Sequence, residues 1–399
     1  MCVYLLLMRC IVDVKSNFCF QRTLTKTNER RTRHFFPKPP AKNASSSFEQ
    51  NSSAMTPPTQ TAIEELFQAI EADDLALVQR IIAEKGDDVV LEKASLDSKT
   101  PLMRACETHG NADIVQLLLS SGAPWNDVDD DGHCAGEYAA QKFPHLASSL
   151  MDYGVEVELQ LGEAMRASGE YETDTSYLQE KLKYDDDDRL LDAQGDAVMM
   201  KWETPLMKLH AEKICDVAGG KVSDAVVLNV GFGLGIIDGF IQDLKPKTHV
   251  IIEAHPDVYA HMKRKGWDKK ENVVIKFGRW QDVVDDLAKE YAFTGAFFDT
   301  YGETYNEIRE FHEHLPKLFQ KSKGDGKRCI YSYFNGFCPD NVFFHMVYNK
   351  LIAKELKDLS GMLTTFEPVK VEKIDWEGVT GHGKYWEMET YFLPTCTYV

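Results

Sequence analysis

Val226-Val227-Leu228-Asn229-Val230 runs directly into Gly231-Phe232-Gly233-Leu234-Gly235, and this stretch decides the fold. The first five residues read as a buried strand. The glycines that follow let the backbone turn sharply and approach a neighbour closely. Residues 236–244 then read as a helix. The same alternation continues downstream, with strands at 248–253, 272–277, 295–299 and 328–334 and helices at 257–266, 280–291 and 305–318. Such spacing predicts a doubly wound parallel sheet. Two last strand-like runs, near 366–374 and 385–393, are expected to add an antiparallel hairpin at its edge.

Glu253 ends the second strand, 22 residues after Gly231. A carboxylate there suits the two hydroxyls of a ribose, so strand, glycine turn, helix and acid together specify a cofactor containing adenosine. The dinucleotide fingerprint G-x-G-x-x-G would place its last glycine at Ile236, and the G-x-G-x-G spacing here departs from it. That spacing resembles the first motif of class I methyltransferases, which implies a Rossmann-like methyltransferase domain and S-adenosyl-L-methionine as cofactor.

The 399 residues are 43% hydrophobic and 27% charged, as in soluble globular proteins, and allow two or three domains. No apolar run reaches the ~18 residues that a membrane span needs. Nine cysteines are scattered without a Cys-x-x-Cys pair, so no zinc or other metal site is expected, and the thiols read as reduced. The net charge is -18, but residues 1–54 hold nine Lys/Arg against three Asp/Glu. The remainder is strongly acidic, which disfavours direct nucleic-acid binding and suits a basic partner.

Residues 1–54 look foreign to the rest. Their Pro, Asn and Ser content from Lys38 to Ala54 predicts disorder. They read as a non-native extension upstream of Met55, the alternative being an Arg-rich transit peptide. In the next segment, Thr100-Pro101-Leu102-Met103-Arg104-Ala105 resembles the start of an ankyrin repeat, and His133 to Tyr138 follows at the ankyrin period. Val78 to Gly86 and Leu146 to Gly154 look like weaker copies. A small all-α ankyrin-like domain is therefore expected over 58–156, serving as a partner-binding surface or as a helical cap. Asp127 to Gly132 imitates the start of a calcium loop, but its twelfth position is Tyr138 instead of glutamate.

Several blocks carry a closer resemblance: WETPLMK at 202–208, VLNVGFGLG at 227–235, IIEAHP at 251–256, GRWQDV at 278–283, FFDTYGE at 297–303, YSYFNGFCPDNVFFH at 331–345 and YWEMETYFLP at 385–394. From about 175 onward the chain resembles the fungal protein arginine N5-methyltransferases (type IV) and, more distantly, guanidinoacetate methyltransferase. The ankyrin-like segment belongs with the former. The resemblance implies a methyltransferase domain over 170–399. It implies cofactor contacts from Tyr177, Met207, Gly231, Phe232, Gly233, Leu234, Gly235, Ile236, Glu253, Ala254, His255, Trp280, Gln281 and Asp299. It further implies that Glu203 and Asp299 hold a guanidinium, whose N–H fork pairs with carboxylates. Glu303 offers a possible third acidic wall, and Asn335, Gly336, Pro339, Asp340 and Asn341 a possible substrate wall. His255, His312, His314 and His345 are read as mainly structural.

The expected activity is methylation of the delta nitrogen of arginine residues in proteins. A small-molecule guanidino methyltransferase and an ankyrin adaptor with an inactive enzyme domain are the alternatives. The expected partner is a basic protein, such as a ribosomal or RNA-binding one, met by a monomer in cytoplasm and nucleus, with no membrane contact.

Overall fold

A computed structural model describes residues 60–168, 175–185, 188–217, 220–301, 304–326, 328–381 and 383–398. The expectations for residues 1–54 and for Glu303 lie outside these. Two compact units divide the described chain between Gly154 and Val155. No helix among the described residues is long and apolar enough to cross a membrane.

The first unit is three helix pairs: α1 (Gln60–Glu71) with α2 (Leu75–Lys85), α3 (Pro101–Glu107) with α4 (Ala112–Ser120), and α5 (Ala135–Lys142) with α6 (Pro144–Ser168). Local chemistry starts three of these helices. Thr100 accepts a hydrogen bond from Met103 N at 3.2 Å, with Pro101 at the first helical position, where a missing N–H costs nothing. Asp74 caps α2 and Asn111 caps α4 in the same way. Leu66, Ile70, Val78, Leu102, Cys106 and Leu118 bury the shared faces. The calcium-like aspartates hold a turn instead. Asp129 accepts from the backbone of Asp131 and His133 (3.0 and 2.9 Å), and the hydroxyl of Tyr138 donates to it at 2.5 Å. Helix α6 runs on into the second unit, so part of the segment between the two expected domains, up to Ser168, is helical.

The second unit opens with a three-stranded antiparallel sheet, β1 (Lys183–Asp185), β2 (Arg189–Leu191) and β3 (Ala197–Met200), followed by α7 (Thr204–Ile214). Next come β4 (Val226–Val230), α8 (Ile236–Leu244), β5 (Thr248–Glu253), α9 (Pro256–Arg264), β6 (Val273–Phe277), α10 (Trp280–Glu290), β7 (Gly295–Phe298), α11 (Tyr305–Gly324), β8 (Ile330–Tyr333), α12 (Val342–Ser360), β9 (Met362–Lys370) and β10 (Thr390–Tyr398). The large sheet has the order β6-β5-β4-β7-β8-β10-β9. Strands β4 to β8 pair in parallel, and β10 runs antiparallel between β8 and β9. This is the expected parallel sheet with its edge hairpin. The order reverses beside β4, and ligands bind outside the carboxyl ends of strands at such a switch point.

Three expectations change. The hairpin strands lie at 362–370 and 390–398, not at 366–374 and 385–393. Tyr385 and Trp386, read as strand residues, sit in the loop between them and pack into a side-chain cluster with Leu206, Tyr391 and Trp202. The small sheet β1–β3 was not foreseen, because strands of three and four residues are too short for alternation to register. Helix α12 was also missed. It is buried over most of its circumference, including His345, Asn349, Lys350 and Glu355, so it has no polar face for a helical period to reveal.

Candidate functional site

The tips of β4 and β7 meet at the glycine loop. Asp299 N donates to Val230 O at 2.9 Å, and the Asp299 carbonyl passes so close to Gly231 (φ +92°) that a Cβ there would lie 1.8 Å from it. Only glycine fits. Beneath the loop, the Asn229 amide donates to Gly231 O and to Asp238 Oδ1, each at 2.8 Å, and Asp238 faces His249 Nε2 at 3.1 Å. From above, the Tyr184 hydroxyl of β1 donates to Gly233 O at 3.0 Å, and Leu234 N lies 3.3 Å from Met199 Sδ of β3. Tyr184 and Met199 were not singled out from sequence, since they sit on the unforeseen sheet.

Glu253 lies at the end of β5, buried against this loop. Phe232 N donates to its Oε2 at 2.9 Å and His255 N to its Oε1 at 2.6 Å. Burial pushes its carboxyl up to about 7, against the pull of these amides. His255 Nδ1 accepts from Asp257 N at 3.1 Å, so its Nε2 carries the proton and donates to the carbonyl of Tyr177 at 3.2 Å. The Tyr177 ring packs on His255 and Tyr301, with centroids 5.0 and 4.8 Å apart. The structure thus brings Tyr177, the glycine loop through Ile236, Glu253, Ala254, His255 and Asp299 to one edge of the sheet.

The other three expected contacts are Trp280, Gln281 and Met207. The Trp280 ring is buried edge-on against Phe311 and Phe298, at 5.3 and 6.1 Å. With its amide oriented to satisfy both groups, Gln281 accepts from Trp280 Nε1 at 3.3 Å and Arg279 Nη2 at 2.8 Å. Met207 is wholly buried in the core with Phe232, Ile237 and Met199, and supports the loop from within.

Glu203 stands at the entry to α7, 3% exposed, and Asp299 is half-buried after β7. Burial, reinforced by Asp299, holds the Glu203 carboxyl well above the usual range, and burial also raises Asp299. A charge on Asp299 thus disfavours a second charge on Glu203. Glu203 Oε1 accepts from Met200 N at 3.0 Å and from the Tyr385 hydroxyl, which itself accepts from Trp202 Nε1 at 2.8 Å. Tyr385 was quoted only within a block of resemblance; nothing in its spacing ties it to a residue 182 positions away.

The suspected substrate wall is largely engaged in packing. The Asn335 amide nitrogen donates to Asn349 Oδ1 and Phe392 O, Asn341 caps α12, and the Pro339 carbonyl accepts from Glu387 N. His312 and His345 are buried and kept neutral, depressed to about 3 and about 4, which fits structural roles.

Comparison with known proteins now bears on this geometry. A family described as guanidinoacetate N-methyltransferase matches residues 165–336, and one described as ankyrin repeats (3 copies) matches residues 66–160. Protein arginine N-methyltransferase 2 of Aspergillus oryzae (strain ATCC 42149 / RIB 40) is 34% identical over 346 residues, covering 74% of this chain and 80% of the relative. The chain belongs to the protein arginine N-methyltransferase 2 family. The Saccharomyces cerevisiae (strain ATCC 204508 / S288c) member is 30% identical, covering 72% of this chain and 77% of its own. Among solved structures, spermidine synthase from Thermotoga maritima aligns with a TM-score of 0.35 and 10% identity, over 54% of this chain and 71% of that one.

As a methyltransferase of this family, the protein takes its methyl group from S-adenosyl-L-methionine. The cradle fits that molecule. Gly231 lets the loop lie directly against the Asp299 carbonyl at the tips of β4 and β7, and the Glu253 carboxylate, with four lone pairs and the amides of Phe232 and His255 upon it, keeps acceptor capacity for a ribose hydroxyl.

Proposed function

We propose that this protein methylates the delta (N5) nitrogen of arginine residues in protein substrates. The observation that carries the reading is the acid pair of buried Glu203 and half-buried Asp299, the latter against the glycine loop. A guanidinium has a pKa above ~12 and arrives charged. Its positive charge offsets the cost of ionising both carboxyls in this setting, and its N–H groups pair with their oxygens. S-adenosyl-L-methionine, when bound, supplies an electrophilic methyl group on sulfur. The acid pair fixes the guanidinium in line with that methyl; such positioning accounts for ~7–11 kcal/mol of barrier in well-oriented reactions. Methylation would break the donor's sulfur–methyl bond, leaving a neutral thioether, and would require the guanidinium to give up one proton; a carboxylate of the pair would accept it, so that the product leaves as a singly charged methylguanidinium.

A protein acceptor is supported by the ankyrin unit and by charge. Residues 60–154 hold 18 Asp/Glu against six Lys/Arg. Such a surface attracts a basic chain, so a ribosomal or RNA-binding protein, met by a monomer in cytoplasm or nucleus, is the substrate class we propose. The test is incubation of the purified protein with methyl-labelled cofactor and a cell extract. Label in protein, with mass spectra of hydrolysed arginine showing the delta isomer, is the expected result. Label confined to small molecules would make it a guanidino-metabolite enzyme, and no label an adaptor.

A further inference from the structure

We infer that Tyr385 selects which guanidinium nitrogen is methylated, by leaving Glu203 a single free oxygen. The inference rests on the reading of Glu203 and Asp299 as the guanidinium holders. A carboxylate oxygen accepts through two lone pairs. On Glu203 Oε1 both are taken, one by Met200 N at 3.0 Å and one by the Tyr385 hydroxyl. The hydroxyl cannot easily turn away. Trp202 Nε1 donates to its oxygen at 2.8 Å, which aims its hydrogen at Glu203. The Tyr385 ring is set edge-on against Trp376 (5.2 Å, 89°) and tilted against Trp202 at 5.7 Å.

The consequence follows from counting acceptors. Besides the end-on grip on both terminal nitrogens, a carboxylate with two free oxygens has a side-on grip that engages the internal nitrogen and one terminal nitrogen together. That grip leaves the other terminal nitrogen to attack. Glu203, with Oε2 alone, takes one terminal N–H. Asp299 takes the other end, and the internal nitrogen is left uncommitted beside the methyl donor. Tyr385 is thus a positioning residue that acts through Glu203, and what it controls is the isomer formed.

The experiment compares wild type with Tyr385→Phe, using methyl-labelled cofactor and the proteins of a cell extract, and reads delta- against omega-methylarginine by mass spectrometry. Wild type should form the delta isomer. Y385F, with one lone pair of Oε1 restored, should form the omega isomer as about a tenth of product or more. Delta product alone from folded, cofactor-binding Y385F overturns the inference and leaves the parent reading intact. Omega product alone from wild type overturns both. If Y385F fails to fold, Trp202→Phe, which unpins the hydroxyl, should show a smaller shift of the same kind. Delta product alone there, or failure of both variants to fold, overturns the inference.

Discussion

A carboxyl group buried beside another keeps its proton to a higher pH than the same group in the unfolded chain, and that difference is a statement about stability. Glu203 and Asp299 are both raised. Where the folded pKa is the higher one, the folded state binds the extra proton, so the stability it contributes is full below the unfolded value and is lost as pH climbs through the folded one. The window therefore opens near the ordinary carboxylate value of about 4.3 and extends upward to the raised value. Glu203→Gln keeps an Oε1 that can accept from Met200 N and Tyr385 but has no proton to lose. We expect E203Q to melt near the wild-type temperature at pH 5 and above it at pH 8, while methyl transfer falls about 100-fold or more for want of a held guanidinium. Melting curves at both pH values, with a transfer assay alongside, check this. A variant less stable at pH 8 than at pH 5 relative to wild type would show that the carboxyls are not held proton-rich.

Among the elements, the small sheet β1–β3 governs the glycine loop from outside the main fold. Tyr184→Phe deletes the hydroxyl that donates to Gly233 O and keeps the ring stacked on His261 at 3.8 Å. One hydrogen bond contributes about 0.5–1.5 kcal/mol net, so the dissociation constant for S-adenosyl-L-methionine should rise about two- to tenfold, as calorimetry can measure. An unchanged constant would mean that the loop holds its shape without the sheet. This sheet also marks where sequence stopped being informative. Strands β4 and β5 and helix α8 lie where expected because each is a long, one-character run bounded by glycine or charge. Glu253, Glu203 and Asp299 stood out as candidates because they stand at element ends within recognisable blocks. Tyr385 was not, because its hydrogen bond to Glu203 crosses 182 residues. The packing of Trp280 was not legible either: position after β6 says nothing of whether a ring turns toward the sheet edge or into Phe298 and Phe311.

At the scale of the whole molecule, charge is the dominant feature. Residues 155–399 carry 42 Asp/Glu against 30 Lys/Arg, so both units are acidic. Encounter with a basic acceptor is then accelerated at low ionic strength and screened as the Debye length shrinks from ~10 Å at 0.1 M salt to ~3 Å at 1 M. The KM for a basic protein acceptor should climb steeply with sodium chloride, whereas that for the cofactor, held in a buried cradle, should change little. Parallel salt sensitivity of the two would place the effect on the enzyme itself. The placing of β10 between β8 and β9 has a consequence for the order in which a ribosome produces working parts. Strands β4, β5 and β7, with Gly231, Glu253 and Asp299, emerge well before the loop that brings Tyr385 to Glu203. Chains fold in the direction of synthesis, early portions first. A nascent chain therefore already carries Gly231, Glu253, Glu203 and Asp299 when the segment with Tyr385 is still to be made, and because a domain folds as a unit these residues come together as a finished site only after β9 and β10 have been released.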